Sequence, residues 1–146
     1  LADSWAMDYS DYPSAETFSF KSGDAFHEEY KEGIYVGYRY FDTFDVPVRY
    51  GFGFGLSYTT FSIKTQKVTV SNLNSENPVL TVAVEVTNTG VTYSGKEVVQ
   101  IFVSCPQGSR VKEYRRLAGF AKTKELAPGE KQSLSITFPI ISAHFL

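Results

Sequence analysis

"VLTVAVEVTNTG", residues 79 to 90, alternates apolar and polar side chains. Leu80, Val82, Val84 and Val86 fall on one face, and Thr81, Ala83, Glu85 and Thr87 fall on the other. A period of two marks a strand with one face buried, and Asn88-Thr89-Gly90 then reads as a turn. The same alternation recurs on both sides. "GKEVVQIFVS" aligns Val99, Ile101 and Val103, and "QSLSITFPI" aligns Leu134, Ile136, Phe138 and Ile140. "FSIKTQKVTV" begins with Phe61 and Ile63 on one parity and ends with Val68 and Val70 on the other, which predicts a bulge or bend within the strand. "LAPGE", residues 126 to 130, is a Pro-Gly turn. Short alternating strands between turns, with no helix, predict a mainly β fold, a β-sandwich of the immunoglobulin or fibronectin type III kind. Such a domain takes about seven strands and ~100 residues. From residue 59 onward four strands stand out, with one or two weaker ones, and "IISAHFL" ends the sequence just after a strong strand. The sandwich is therefore expected to be incomplete at its C-terminus.

Upstream lies "EGIYVGYRYFDTFDVPVRYGFGFGLSYTTF", residues 32 to 61, where rings are interleaved with glycines. Residues 33 to 41, rich in aromatic and β-branched types, read as a strand. Ile34, Val36 and Tyr38 alternate there with Tyr35 and Phe41, so both faces are apolar and both need cover. Nothing in the chain looks able to supply it. Residues 42 to 58 read as a loop, in which "GFGFG" lacks the lysine and helix start of a phosphate loop. Residues 1 to 31 show no sustained period. Ser10, Asp11, Pro13, Ser14, Ser22, Gly23 and Asp24 punctuate them as turns, and they read as an irregular, anchored arm.

Composition narrows the classes. Of 146 residues 42% are hydrophobic and 21% charged, which argues against disorder. A net charge of −2 leaves no electrostatic footprint for nucleic acid and no polybasic signal for a membrane surface. No apolar run approaches the ~20 residues that span a bilayer. The first residue is Leu1 rather than Met, which suggests a processed chain or a fragment. Cys105 is the only cysteine, so no disulfide forms within the chain, no metal site is expected, and the thiol reads as a small, partly buried apolar group. The histidines, His27 and His144, are distant from Cys105 in sequence, and neither completes a credible nucleophilic set. No cofactor is expected.

"YKEGIYVGYRYFDT" followed by "YGFGFGLSYTTF" resembles the junction segment of the family-3 glycoside hydrolases, the β-glucosidase and β-xylosidase group. "VAVEVTNTGVTYSGKEVVQIFVS" and "RRLAGFAKTKELAPGEKQSLSITF" are similar to the fibronectin type III-like domain of those enzymes, and "LADSW" resembles the end of their α/β sandwich domain. Tyr50 stands where the family usually has proline, and Phe54 where it often has His or Tyr. The resemblance implies that residues 1 to 58 are the end of the α/β sandwich domain, with its last strand and docking loop. It implies that residues 59 to 146 are the fibronectin type III-like domain, truncated at its C-terminus. It also implies a soluble bacterial-type enzyme, cytoplasmic or secreted, that hydrolyses terminal non-reducing β-D-glycosyl residues. Its aspartate nucleophile and acid/base residue belong to regions that do not match this chain.

The carboxylates here fit that division. A retaining glycosidase needs two carboxyl groups about 5 to 5.5 Å apart, one with a raised pKa. The candidates are Asp3, Asp8, Asp11, Glu28, Glu29, Glu32, Asp42 and Asp45. "DSW", residues 3 to 5, has the wrong order for the family's Ser-Asp-Trp nucleophile motif. Asp42 and Asp45 read as turn residues that bond locally, and the glutamates read as surface charges. The rings fit burial and docking better than a sugar-binding face, since each one buried removes ~150–250 Å² from water. Tyr35, Tyr38, Arg39, Tyr40 and Tyr58 are the expected interdomain docking residues, with Arg39 in an ion pair or cation–π contact. Phe52 and Phe54 are the candidates for the rim of a substrate cleft. The expected partners are the remaining catalytic domains, a β-glucoside or oligosaccharide bound by the whole enzyme, and a strand from another chain that completes the sandwich. The competing reading is an autonomous immunoglobulin-like module that binds carbohydrate or protein.

Overall fold

The computed structural model describes residues 1–140, apart from 22, 25, 76, 107, 109 and 110 and the side chain of residue 20. Ser22 of the expected turn, the closing "IISAHFL" beyond Ile140, and His144 lie outside the described residues. The chain divides into two units, Leu1–Gly55 with Pro106–Arg115, and Leu56–Cys105 with Arg116–Leu146.

The second unit is the sandwich. Strands β3 (Phe61–Ser71), β4 (Val79–Asn88) and β7 (Lys131–Pro139) form an antiparallel sheet in the order β3-β4-β7. Strands β5 (Val98–Val103) and β6 (Arg116–Lys122) pair as a second antiparallel sheet. The alternation in β4 does what the sequence predicts. Val82, Val84 and Val86 point into a buried cluster with Val99, Leu126, Ile136 and Phe138. On the outer face Thr81 and Thr137 exchange a hydroxyl hydrogen bond of 3.0 Å, and Lys131 Nζ lies 3.2 Å from Glu85 Oε1. The parity switch in β3 is a bulge. The register against β4 slips between Thr65 and Lys67, so Ile63 and Val68 share a face although an even number of residues separates them.

Gly119 explains how the sheets approach each other. A Cβ there would sit 2.8 Å from Ile136 Cγ2 and 3.3 Å from Phe138 Cδ1. We expect Gly119→Ala to cost about 1–3 kcal/mol by overpacking, readable as a lower urea midpoint with unchanged m-value.

Ala127-Pro128-Gly129-Glu130 makes the expected turn. Gly129 takes φ +78, and the Glu130 N–H donates to the Ala127 carbonyl at 2.9 Å. Glu130 is held below the ordinary carboxylate value of 4.5 by Lys124, 2.7 Å away, and by the Ala127 N–H. Between its folded and unfolded values the unfolded chain binds more protons. Glu130 therefore adds stability above pH 4.5 that is lost as pH falls through its lowered folded value. Glu130→Gln should flatten the acid limb of a Tm-against-pH curve and leave that curve parallel to the unmodified one near neutrality.

The first unit is built differently. Strand β1 (Trp5–Ala6) pairs with β2 (Val48–Tyr50), and between them lie two short 3₁₀ turns and helix α1 (Tyr38–Thr43). The strand expected over residues 33 to 41 is not there: residues 31 to 34 turn, and α1 begins at Tyr38. The reason is backbone geometry. Gly33 and Gly37 take φ +56 and +60, values no strand accommodates. The β-propensity of the intervening rings reflects packing rather than an intrinsic backbone preference. Residues 42 to 58, expected as a loop, also contain β2. α1 closes with a Schellman motif. The Val46 N–H donates to the Phe41 carbonyl at 3.0 Å, and Asp45 takes the left-handed conformation at φ 52. Asp45→Gly should relieve that conformation and raise stability by about 0.5–1 kcal/mol, seen as a small rise in Tm.

Candidate functional site

α1 and β2 arrange the ring-rich stretch. Phe41 is buried on the inner side of α1, edge-on to Tyr12 at 5.6 Å and beside Tyr40 at 5.3 Å. Tyr40 also meets Phe44 at 5.2 Å, and Tyr35 meets Phe44 at 4.9 Å. Tyr38 tilts against Phe52 at 4.9 Å. On β2, Tyr50 packs on Phe54 at 4.7 Å and edge-on to Trp5 at 6.1 Å. The Gly53 N–H donates to the Leu1 carbonyl at 2.8 Å, so the arm ties down the "GFGFG" loop.

Of the residues expected for docking, Tyr35, Tyr38, Arg39 and Tyr40 lie together on or beside α1, each half-buried. Tyr58 belongs to the second unit, 91% exposed, with its ring 6.1 Å from Tyr93. Phe52 is half-buried, and Phe54 is exposed. Arg39 makes neither the ion pair nor the cation–π contact expected of it among the described residues. The cation over a ring in this unit is Lys21, 4.1 Å from the centroid of Tyr9. Nor is Asp42 a turn cap. It sits within α1, and its Oδ2 accepts from Arg115 Nε at 2.7 Å.

That ion pair exposes what the sequence reading missed. Residues 106 to 115 leave the sandwich between β5 and β6 and join the first unit. The Tyr114 N–H donates to Thr43 Oγ1 at 2.9 Å, beside the Arg115–Asp42 pair, and Glu113 is 1% exposed. Partners 71 and 73 residues apart leave no local pattern to read.

A general acid needs a raised carboxyl pKa. Asp24 is instead lowered, by the Phe26 N–H and by His27 2.7 Å away, and Glu130 is lowered as well. Cys105 is half-buried. No helix among the described residues is long and apolar enough to cross a membrane.

Residues 97–144 match the family model described as the fibronectin type III-like domain. The chain is 41% identical to β-glucosidase A of Butyrivibrio fibrisolvens, over 93% of this chain and 18% of that protein. It is 44% identical to a β-glucosidase of Ruminococcus albus, over 93% of this chain and 13% of that protein. Among solved structures, a β-glucosidase from Paenibacillus barengoltzii superposes with a TM-score of 0.86 at 46% identity, covering 96% of this chain and 15% of that one. β-Glucosidase 3B from Thermotoga neapolitana, solved with glucose, superposes with a TM-score of 0.81 at 38% identity, covering 94% and 18%. The chain thus spans less than a fifth of the length of each of these relatives. Over nearly its whole length the chain is similar to β-glucosidases of glycoside hydrolase family 3, and it carries a fibronectin type III-like domain.

Proposed function

We infer that this chain is a non-catalytic scaffold within a longer β-glycosidase that hydrolyses terminal non-reducing β-D-glycosyl residues, glucose or xylose. One observation carries the reading. In the first unit, Phe41 is the only large apolar side chain buried among the described residues, while Trp5, Phe18, Phe26, Tyr30, Phe44 and Phe54 are exposed. An apolar surface of that extent is characteristic of an interface, and the length of the relatives supplies the bodies that would cover it. In this reading Tyr35, Tyr38, Arg39, Tyr40 and Tyr58 belong to the seam with the remaining catalytic domains. Phe52 and Phe54 border the cleft in which those domains bind a β-glucoside or oligosaccharide. The nucleophile and the acid reside on the remaining domains.

Two measurements test this. The chain alone, given a chromogenic β-glucoside, should show no turnover. Turnover that survives replacement of Asp42 and Asp45 but dies on replacement of another residue in the chain would overturn the reading. Trp5, the only tryptophan, should emit at long wavelength and be quenched freely by acrylamide in the isolated chain. Within the whole enzyme its emission should shift to the blue.

A further inference from the structure

The first unit holds a hollow of about 180 Å³ beside α1. Tyr12, Tyr35, Tyr40 and Phe41 line it, and ring contacts fix all four in place. Phe41 is buried, with Tyr12 edge-on at 5.6 Å and Tyr40 at 5.3 Å. Phe44 backs Tyr35 at 4.9 Å and Tyr40 at 5.2 Å. The charged groups in the lining are two carboxylates, Asp3 and Glu32. Asp3 Oδ1 accepts the Ser4 N–H at 2.8 Å, which leaves Oδ2 without a partner among the described residues. The Glu32 carboxylate has no hydrogen bond or ion pair among them either. Gly37 keeps the space beside Asp3 clear, since a Cβ there would press on Oδ1 at 3.2 Å. No basic side chain lines the hollow among the described residues.

Ring faces beside two unbalanced carboxylates call for a cation. Aromatic faces attract positive charge, and a cation neutralises carboxylates that a neutral ligand would leave covered and uncompensated. A sugar suits the lining less well, because carboxylates accept hydrogen bonds and donate none. The unit as a whole carries the same sign. It has seven Lys and Arg residues against eleven Asp and Glu, a balance of −4, where the full chain stands at −2. Among cations a guanidinium matches best: it is planar, stacks on tyrosine, forks onto carboxylates and is more weakly hydrated than an ammonium. We propose that the hollow is a socket for a guanidinium group, presented by an arginine of the remaining domains of the longer enzyme. Tyr12, Tyr35 and Tyr40 flank its plane, and Asp3 and Glu32 accept its N–H groups. The proposal rests on the scaffold reading above and names the chemistry of one contact in its seam.

The test titrates the chain, followed by NMR, with the N-acetyl methylamides of arginine, lysine and citrulline, and with glucose. The arginine probe should bind weakly but saturably, with its δ-methylene protons moved upfield by the rings. Citrulline, the same shape without the charge, should bind about tenfold more weakly, and lysine should fall between the two. Asp3→Asn and Glu32→Gln should each weaken arginine binding about fivefold. Both variants should keep the Tm of the chain, because Asn still accepts the Ser4 N–H and the Glu32 carboxylate bonds to nothing described. Glu16→Gln removes a charge from the same unit outside the lining and should leave the affinity within about twofold. Within the whole enzyme the probe should find the socket filled and not bind. Equal binding of citrulline or lysine, saturable binding of glucose at the same resonances, or an equal loss with Glu16→Gln would overturn the proposal. So would no binding of arginine to the chain, or undiminished binding to the whole enzyme. None of these readouts uses turnover or Trp5 emission, so the scaffold reading stands or falls separately.

Discussion

Asn88→Leu should destabilise the sandwich by about 3–5 kcal/mol, most of the stability of a domain this size. Asn88 is fully buried and uses its whole side-chain hydrogen-bonding capacity. Its Nδ2 donates to the carbonyls of Tyr93 at 3.0 Å and Leu126 at 2.9 Å. Its Oδ1 accepts from Thr59 Oγ1 at 2.6 Å and from the Gly90 N–H at 3.0 Å. The backbone joins in, donating to the Glu130 carbonyl and accepting from Gly129. A leucine fills similar volume but strands four partners, and each buried polar group left unmade costs about 1–3 kcal/mol. The neighbourhood cannot relax to compensate. A Cβ on Gly90 would collide with the Thr59 hydroxyl, and one on Gly95 would lie 2.7 Å from Thr59 Cγ2. Thr59 is thus wedged between two glycines with its hydroxyl aimed at Asn88. Chemical denaturation of the chain provides the measurement, and a midpoint within error of the unmodified chain would refute the account. Asn88→Asp sharpens it. An ionised carboxylate would face two carbonyl oxygens, whereas a protonated one can donate to either, so this variant should gain stability as pH falls.

Phe138→Ala should cost about 3–5 kcal/mol and lower Tm by about 15 °C or more. Phe138 lies in the buried cluster opposite Leu80, 5% exposed, and its ring edge would touch the Cβ that Gly119 lacks. Removing the ring opens a void where β7 packs against Gly119 of β6. Phe138→Ala combined with Gly119→Ala should therefore be less damaging than the sum of the two, because the added methyl enters the space vacated. Additive losses would show that the ring and the glycine are not packed as described.

How far the sequence could be read depended on whether each signal was local. The sandwich face of β4 was legible because valine alternation has no other sensible use, and the β3 bulge because alternation cannot change parity without one. The Pro-Gly turn follows from the conformations those two residues prefer. The run from Gly33 to Phe41 misled because its rings suggest a strand, while two glycines at positive φ decide the backbone. Asn88 was read as a turn residue. Its role depends on Thr59, Tyr93 and Leu126, which the fold rather than the sequence order brings together. The Asp42–Arg115 pair was invisible for the same reason. Tyr35, Tyr38, Arg39 and Tyr40 could be grouped in advance because they are close in sequence, but the ion pair or cation–π contact expected of Arg39 does not form among the described residues.

The excursion of residues 106 to 115 bears on how such proteins can be recombined. The polypeptide passes between the two units at three places rather than one. A gene fusion that swaps the sandwich for another at residue 55 would import a foreign loop and leave Asp42 facing it. A chimera that keeps the Asp42–Arg115 and Thr43–Tyr114 contacts exchanges the "VKEYRR" loop and the α1 helix as a matched set.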